Sequence, residues 1–362
     1  MAELTFVMAG GGTGGHVIPA IAVARELRAR GHRPLFIGTR TGFEARLVPA
    51  AGFEIEWIEI GGLKNVGARQ TLRTLAQMPA SFARVSRLLR QTRPAAVFSM
   101  GGFAAGPVVL AALRRRLPVV IMEPNALPGL TNRRIARFVK RALVSFPETA
   151  RWFPPGRTEI TGLPVRAEFF RVPPRIPGEK LNVLITGGSR GSRTLNNAAR
   201  GAWALLREAA FPIRLVHQTG VDACDEIARE FGATGLDGEV RAFIDDMPAA
   251  FADADLVVCR SGAGTVAELA AAGKPSILVP FPFAADDHQR KNAEAMASAD
   301  AARIVLDAEM NGARLVAEIR KFADNPRTLE QMGANAHRFA HPEAARRAAE
   351  VLEEAAGVRQ AT

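Results

Sequence analysis

Two stretches of the sequence decide the fold: LTFVMAGGGTGGH, from Leu4 to His16, and LNVLITGGSRGS, from Leu181 to Ser192. Each begins with a short apolar, β-branched run and ends in a cluster of glycines, and a helical pattern follows it. This order is the opening of a Rossmann-like βαβ unit, in which backbone N–H groups can approach a phosphate at the helix N-terminus. The predicted fold class is therefore α/β, with two Rossmann-like parallel-sheet domains that face a cleft.

The rest of the chain alternates short apolar runs with alanine-rich helical patterns, which is typical of βαβ units and parallel sheets. The predicted strands of the first half cover residues 5–8, 35–37, 55–58, 96–99, 119–122 and 143–145. Those of the second half cover residues 181–186, 214–217, 240–243, 256–259, 276–279 and 302–305. Four prolines crowd residues 162–178, where the helical pattern lapses, so the boundary between the halves is predicted there.

Length and composition set the broad class. With 362 residues, two domains are more natural than a single core, and 48% apolar residues exclude a disordered chain. Cys224 and Cys259 are the two cysteines, too few for a disulfide framework, which indicates a reducing, cytoplasmic compartment. The first residues lack a basic leader, and their apolar run is too short for a signal peptide.

The longest uncharged stretch, from Pro94 to Leu113, has the length of a membrane span but contains prolines and glycines. It is better interpreted as a buried strand, a turn at Gly101 and Gly102, and a packed helix. The net charge of +11 suggests a phosphate-bearing partner: nucleic acid, an anionic membrane face or a phosphorylated substrate. An arginine-rich proteome would give the same excess of basic residues, so the net charge alone does not identify a partner.

The first glycine cluster matches the G-x-G-x-x-G pattern through Gly10, Gly12 and Gly15, which raises a dinucleotide oxidoreductase as one hypothesis. That function requires an acidic residue at the end of the second strand to hold a ribose hydroxyl. The strand ends instead at Thr39 and Arg40. NAD is therefore disfavoured, while Arg40 leaves NADP open.

A further glycine-rich turn, RSGAGTVAE, follows the strand that ends at Cys259. Within it Thr265 and Glu268 have the spacing of a capping box, which predicts a helix N-terminus at Thr265. A carboxylate in this position, at the mouth of a sheet, could also hold the vicinal hydroxyls of a ribose. Both roles are compatible with the sequence.

Metal and nucleophile patterns are weak. Asp286, His288 and Gln289 form a polar cluster at a sheet mouth, but no second histidine or cysteine stands at useful spacing, so no metal is expected. Asp253 and Asp255 resemble a D-x-D motif, yet they precede a buried strand, which favours a helix end. No motif of a catalytic nucleophile occurs in the sequence. The residues present are most compatible with a direct displacement reaction that uses one general base.

Taken together, the motifs resemble the MurG family of UDP-N-acetylglucosamine transferases, which convert lipid I to lipid II in peptidoglycan synthesis. The resemblance runs nearly end to end and rests on GGTGGH (11–16), MGGF (100–103), EPNALPGLTN (123–132), PVR (164–166), GGS (187–189), FIDDM (243–247), RSGAGTVAE (260–268) and DHQ (287–289). It departs from the family at Pro124 and Arg190, where glutamine is common.

The resemblance implies the twin-Rossmann arrangement called GT-B, inverting transfer to the C4 hydroxyl of the muramyl sugar, and no tightly bound cofactor. Residues 1–164 would form an acceptor- and membrane-facing domain, with a C-terminal helix in residues 341–362 packing back on it. Residues 165–340 would bind the UDP-sugar. The partners would be UDP-N-acetylglucosamine, lipid I and an anionic membrane surface, with no nucleic acid, at the cytoplasmic face of the inner membrane.

Site residues are also implied by the resemblance. In the second half Arg166 and Ser189 would face the diphosphate, Ile244 the uracil, Glu268 the ribose and Gln289 the sugar, while Ala263, Gly264 and Thr265 would offer N–H groups. In the first half Thr13, Gly14, Gly15 and Asn125 would reach the cleft, and Gly12, Gly101 and Gly102 are candidates for the acceptor diphosphate. His16 is the candidate general base, because a neutral imidazole is available near pH 7; packing at a helix N-terminus is its alternative role.

The segment from Ala68 to Arg93 interleaves seven apolar side chains with six arginines. A basic amphipathic helix of this kind can lie on an anionic leaflet, although an ordinary surface helix has the same pattern. This segment favours a lipid-linked acceptor over a GT-B transferase with a soluble acceptor. Glu268 and the missing acid beside Arg40 disfavour an NADP oxidoreductase.

Overall fold

The computed structural model describes residues 3–61, 68–174 and 178–358. The chain divides into two compact units, Met1–Val165 with His341–Thr362, and Arg166–Ala340. The strands are β1 Thr5–Gly10, β2 Arg33–Gly38, β3 Glu54–Trp57, β4 Ala96–Gly101, β5 Val119–Glu123, β6 Arg141–Val144, β7 Thr158–Ile160, β8 Leu181–Thr186, β9 Ile213–Gln218, β10 Asp237–Arg241, β11 Leu256–Cys259, β12 Ser276–Leu278 and β13 Arg303–Ile304. The α-helices are α1 Gly14–Ala29, α2 Glu44–Ala50, α3 Ala68–Thr92, α4 Ala105–Arg114, α5 Leu130–Ile135, α6 Arg193–Glu208, α7 Cys224–Gly232, α8 Met247–Asp253, α9 Ala263–Ala271, α10 His288–Ser298, α11 Gly312–Ala323, α12 Pro326–His337 and α13 Ala344–Ala355.

Each unit contains one parallel sheet in doubly wound order. The first sheet runs β3-β2-β1-β4-β5-β6-β7 and the second β10-β9-β8-β11-β12-β13. In such sheets ligands bind where the strand order reverses, outside the carboxyl ends of the strands. That point lies between β1 and β4 in the first unit and between β8 and β11 in the second. The predicted α/β class with two Rossmann-like parallel sheets is confirmed, while the cleft stays a prediction.

Strand register sets two glycine turns side by side in the first unit. The pairing of β1 with β4 shifts between Ala9 and Gly10, so that Gly10 lies opposite Gly101. In the second unit Thr186 pairs with Cys259, which places the turn after β8 beside the turn after β11. The central strands β1 and β8 are buried except for one partly exposed residue each, and their near-continuous apolar sequence reflects a sheet that is covered on both faces.

The C-terminal helix α13 belongs to the first unit, where it packs on α1 and against β4, β5 and β6. Its alanines Ala348 and Ala349 are fully buried, and small side chains let the two helices approach closely. The carboxylate of Glu353 lies 3.0 Å from His32 Nε2 and 3.0 Å from Arg30 Nη1, and both it and His32 are buried. These contacts fix the end of the chain on the turn between α1 and β2.

Sequence patterns failed mainly at edge strands. The strand predicted at residues 240–243 is in fact Asp237–Arg241, and Thr158–Ile160 was not predicted at all. Both are polar, half-exposed edge strands, in which apolar residues give little signal. Residues 94–113, by contrast, form the predicted strand, glycine turn and packed helix.

The basic amphipathic segment forms the 25-residue helix α3. Its apolar side chains Val85 and Leu89 are buried in the core of the first unit, and Phe82 packs against the same core. The apolar face in this part of the helix is therefore internal, and the arginines are its exposed part. The side chains of Leu72 and Leu75 lie outside the described residues. Within the described ranges, no helix has the length and apolar character needed to cross a membrane.

Candidate active site

The glycine turn after β1 leads into α1, which begins at Gly14 with Thr13 as its N-cap. Thr13 has an extended backbone, and its side chain makes no capping hydrogen bond. The first N–H groups of a helix have no partner within the helix, so this N-terminus suits an anion. Gly12, with φ of 92°, adopts the left-handed conformation that favours glycine.

His16 lies in the first turn of α1 and faces the turn after β4. Its Nδ1 is 3.3 Å from the carbonyl oxygen of Gly11 and 3.4 Å from Thr13 Oγ1. A Cβ placed on Gly102 would lie 3.4 Å from His16 Nδ1 and 3.1 Å from the Gly11 carbonyl oxygen. The absence of a side chain at Gly102, together with its φ of 81°, therefore lets the second turn pack on the imidazole.

Glu44, which was not predicted as a site residue, binds the glycine turn after β1 through its carboxylate. Its side chain is completely buried; Oε2 accepts from the N–H of Gly12 at 2.9 Å, and Oε1 accepts from the N–H and the hydroxyl of Thr39 at 2.9 and 2.8 Å. The residues directly after the second strand, Thr39 and Arg40, include no acidic side chain. The acidic residue lies slightly further along, and its carboxylate binds the glycine loop itself.

A second buried carboxylate, Glu123, orders the loop after β5. It accepts hydrogen bonds from the backbone and side-chain amides of Asn125, each at 3.0 Å, from the N–H of Gly129 at 3.0 Å and from Asn132 Nδ2 at 2.8 Å. Burial raises the pKa of Glu123, and these hydrogen bonds oppose the rise. The Asn132 amide also packs on Gly101, where a Cβ would lie 3.1 Å from Asn132 Oδ1.

In the second unit, a side-chain network fixes the turn after β8. Gln218 accepts from the hydroxyl of Thr186 at 3.0 Å and donates to the carbonyl of Gly188 at 3.3 Å, while the Gly188 N–H donates to Thr186 Oγ1 at 3.1 Å. Ser189 and Arg190 are exposed at the tip of this turn. The predicted diphosphate residue Ser189 is thus presented by a turn whose base is held rigidly.

The capping box predicted for Thr265 and Glu268 is wrong. Helix α9 begins at Ala263 with Gly262 as its N-cap, so Thr265 is already the third helical residue and cannot cap. Gly262 has an extended backbone and no side chain, which leaves the N–H groups of the first turn uncapped by the protein. Ala263, Gly264 and Thr265 are therefore the first turn of a helix N-terminus, as an anion site requires.

Glu268 instead forms a pair with Arg166. The two side chains approach to 4.0 Å, and the Arg166 guanidinium lies 5.0 Å from the centre of the Phe169 ring. Burial raises the pKa of Glu268 to about 7, while the nearby positive charge of Arg166 partly counters this rise. A carboxyl that titrates near neutral pH at a sheet mouth is typical of a binding site.

Arg260 ties the surrounding turns of the second unit together, and sequence reasoning included it only as part of a motif. It is 13% exposed; its guanidinium donates to Ser192 Oγ at 2.7 Å, to the Val279 carbonyl at 3.0 Å and to Asp307. Its partners come from three separate turns, and only their assembly in the fold shows that they converge.

Gln289 lies in the first turn of α10, the helix that follows β12. Gln289 Oε1 accepts from the N–H of Phe281 at 3.0 Å, which leaves its Nε2 directed away as a donor. Asp286 and Asp287 both have φ of 54°, the left-handed region in which such residues are uncommon and strain concentrates at functional sites. Ile244, 4% exposed, follows β10 in the chain.

Within the described parts of the chain, no three histidine, cysteine, aspartate or glutamate side chains are arranged to hold a metal ion. In the polar cluster after β12, His288 Nδ1 lies 2.5 Å from the Ala285 carbonyl oxygen. Asp253 is the last residue of α8, which confirms the helix end predicted there in preference to a D-x-D motif.

Two doubly wound parallel sheets, each with glycine turns and a helix N-terminus at its reversal point, match the GT-B architecture of two Rossmann-like domains. The N-terminal domain model of glycosyltransferase family 28 matches residues 6–144, and the C-terminal domain model of that family matches residues 182–348. The chain belongs to glycosyltransferase family 28.

Individual relatives agree with this assignment. The chain is 61% identical, over 97% of its length and 96% of the relative's, to the UDP-N-acetylglucosamine–N-acetylmuramyl-(pentapeptide) pyrophosphoryl-undecaprenol N-acetylglucosamine transferase of Solibacter usitatus. It is 43% identical to the enzyme of the same name from Anaeromyxobacter dehalogenans, over 97% and 93% of the two chains. The crystal structure of Acinetobacter baumannii MurG superposes with a TM-score of 0.82 at 32% identity, covering 97% of this chain and all of that one.

Proposed function

We propose that this protein transfers N-acetylglucosamine from UDP-N-acetylglucosamine to the C4 hydroxyl of the muramyl sugar of lipid I, which gives lipid II and UDP. The observation that carries the proposal is the 61% identity, over nearly the full length of both chains, to a relative named for this transfer. The geometry within each unit supports the assignment of the two substrates separately.

The second unit holds the donor. The helix N-terminus at Ala263, Gly264 and Thr265 binds the diphosphate with Ser189 and Arg166, and Glu268 accepts hydrogen bonds from the ribose hydroxyls. Ile244 contacts the uracil and Gln289 donates to the sugar. The positive end of α9 and the guanidinium of Arg166 stabilise the charge that develops on UDP as it leaves. Arg190, exposed beside Ser189, adds a cation near the same phosphates.

The first unit supplies the acceptor-side groups. Thr13, Gly14 and Gly15 at the N-terminus of α1, with Gly12, Gly101 and Gly102, hold the acceptor diphosphate, and Asn125 is presented by the loop that Glu123 orders. His16 is the general base. The C4 oxygen attacks C1 of N-acetylglucosamine, its proton passes to the imidazole, and the bond from C1 to the phosphate oxygen breaks with its electron pair leaving on UDP. A single displacement of this kind inverts the configuration at C1.

Transfer of radiolabelled sugar from UDP-N-acetylglucosamine to a lipid I analogue tests the reaction. We expect label in the lipid-linked product, dependent on both substrates. Folded protein that binds the donor yet transfers nothing to this acceptor would reject the proposed acceptor. Thermal stabilisation by NADPH and none by UDP would reject the whole assignment.

We further propose that the first unit associates with an anionic membrane surface. The four exposed arginines Arg87, Arg90, Arg114 and Arg115 surround a cavity of about 660 Å³ between α3 and the end of α4. Because the neighbouring apolar side chains of α3 are internal, this attraction is mainly electrostatic, at about 1 kcal/mol for each basic residue near the surface.

Vesicle sedimentation tests this surface. The double variant R87E/R90E should bind phosphatidylglycerol vesicles at least about tenfold more weakly than the wild type, and added salt should weaken wild-type binding. R229E, which removes an exposed arginine on α7 of the second unit, is the control. Wild-type binding that is indifferent to salt and to the double variant would contradict the proposal.

A further inference from the structure

One peptide unit in the first glycine turn has a hydrogen-bonding partner at each end. Its carbonyl, from Gly11, faces His16 Nδ1 at 3.3 Å, and its N–H, from Gly12, donates to Glu44 Oε2 at 2.9 Å. The carboxylate and the imidazole are therefore connected through a single peptide bond.

Glu44 is held in place by close packing and by hydrogen bonds to both carboxylate oxygens. Its side chain lies in a cradle of glycines: a Cβ on Gly11 would approach Glu44 Oε1 to 2.5 Å, and a Cβ on Gly38 would approach Glu44 Cγ to 2.6 Å. Both oxygens have N–H or O–H donors, and the residue begins α2, where the helix dipole favours negative charge. A fully buried carboxylate in this environment is constrained in position.

We propose that Glu44 is a positioning residue that sets the tautomer of His16 through the Gly11–Gly12 peptide. A carbonyl oxygen can only accept, so a ring nitrogen that bonds to the Gly11 carbonyl carries the proton, and the Thr13 hydroxyl oxygen, 3.4 Å from the same nitrogen, is then a second acceptor. The carboxylate on the N–H end polarises the peptide and makes the carbonyl a stronger acceptor, because hydrogen bonds in a chain reinforce one another. His16 is thereby fixed with its proton on Nδ1, and Nε2 is the nitrogen that can accept a proton.

The consequence for catalysis rests on the proposed function, in which His16 is the general base. When the acceptor hydroxyl gives its proton to Nε2, the ring becomes an imidazolium and the hydrogen bond from Nδ1 to the Gly11 carbonyl strengthens. The negative charge of Glu44 stabilises this state through the same peptide. The arrangement performs the task of a carboxylate that contacts a histidine directly, with one peptide interposed.

Nitrogen NMR of the full-length protein, labelled with ¹⁵N at its histidines, tests the inference without substrates. The chain has six histidines, and the signals absent from His16→Gln are those of His16. We expect the wild-type His16 to carry its proton on Nδ1 near pH 8. A wild-type ring protonated on Nε2 would overturn the inference, whatever the variants do.

Variants at Glu44 supply the second measurement. E44Q keeps the shape but removes the charge, and E44D keeps the charge but is too short by one methylene to reach Gly12. For either variant that folds, we expect a shift of His16 toward the Nε2-protonated tautomer and a loss of kcat of about 10- to 100-fold, with donor KM little changed. An unchanged tautomer and kcat in a folded variant would refute the proposal.

The control is Glu353→Gln, which removes another buried carboxylate of the same unit away from His16. It should lower stability and leave the tautomer of His16 unchanged. The outcomes separate the two proposals: a tautomer that depends on Glu44 in a protein without transferase activity rejects only the proposed function. Normal transferase activity with a tautomer indifferent to Glu44 rejects only this inference.

Discussion

Arg166 Nη2 lies 4.0 Å from Glu268 Oε1 at the carboxyl edge of the second sheet, yet this pairing does not offset the burial of the carboxyl, whose pKa is raised to about 7. The ordinary pKa of glutamate in an unfolded chain is about 4.3. Above pH 7 the carboxyl is ionised in both states, and its charge is less well solvated in the folded protein. Glu268 therefore destabilises the fold at the pH at which a carboxylate is needed to accept from a ribose.

Replacement of Glu268 by glutamine should accordingly raise Tm while weakening donor binding. The gain should be a few degrees at pH 8 and should shrink toward pH 4, where the wild-type carboxyl is neutral in the folded state and mostly protonated in the unfolded state. Differential scanning calorimetry at the two pH values measures it. Glu294→Gln is the control of opposite sign, because hydrogen bonding to Lys291 lowers the pKa of Glu294 and its loss should not stabilise. A Glu268→Gln variant that is less stable at pH 8 would contradict this account.

Donor affinity should depend on the same carboxyl. UDP-N-acetylglucosamine has no phosphate monoester, so its own charge is constant between about pH 6 and 8, unlike that of UDP. We expect Kd for the intact donor to rise as pH falls below about 7, because a protonated Glu268 is a weaker acceptor for the ribose hydroxyls than the carboxylate. Isothermal titration calorimetry would record this trend, and Glu268→Gln should show weak binding with a flat pH profile. A flat profile in the wild type would be inconsistent with the ribose assignment.

The sequence was sufficient for the sheets and their glycine turns but not for the side chains that hold those turns. Central strands such as β8 are largely apolar, and the glycines that follow them mark the turn directly. The roles of Glu44 and Glu123 could not be predicted from a sequence pattern. Many of their hydrogen-bond donors are backbone N–H groups, which come close to these carboxylates only when the chain folds. The helix start at Ala263 was missed for a related reason: an extended Gly262 begins the helix without any side-chain cap.

Replacement of Gln218 should weaken donor binding more than it affects acceptor binding or turnover. Gln218 joins Thr186 to Gly188 and thereby fixes the turn that presents Ser189. Replacement by methionine keeps the volume but removes both hydrogen bonds, so the turn loses its fixed geometry, at about 1 kcal/mol for each bond. We expect donor KM to rise roughly tenfold with kcat and acceptor KM less affected. Gln331→Met on the exposed face of α12 should leave all three constants unchanged, and a Gln218→Met variant with wild-type donor KM would refute the role.

His16→Ala separates chemistry from donor binding. Because His16 belongs to the first unit and the proposed donor residues to the second, the variant should bind UDP-N-acetylglucosamine with wild-type Kd. Turnover should fall by about 100-fold or more, since general base catalysis contributes about 10² to 10⁴. Single-turnover transfer to the lipid I analogue measures the loss. Turnover close to that of the wild type would remove His16 as the base and leave it the packing role at the helix N-terminus.

Glu353 should be the residue of α13 on which the attachment of the C-terminal helix most depends. Its carboxylate is 3% exposed and is shared by His32 and Arg30, so Glu353→Ala leaves the buried His32 Nε2 without this acceptor and leaves Arg30 with Glu350. Removing one partner of a buried pair costs about 3–5 kcal/mol, which corresponds to a fall in Tm of at least about 5 °C. Glu354 stands next to it on the helix, but it is 37% exposed and pairs with Arg347 at the surface, where such pairs contribute about 0–1 kcal/mol. Glu354→Ala should therefore change Tm little, and equal losses in the two variants would show that the buried contact with His32 is not what holds α13 in place.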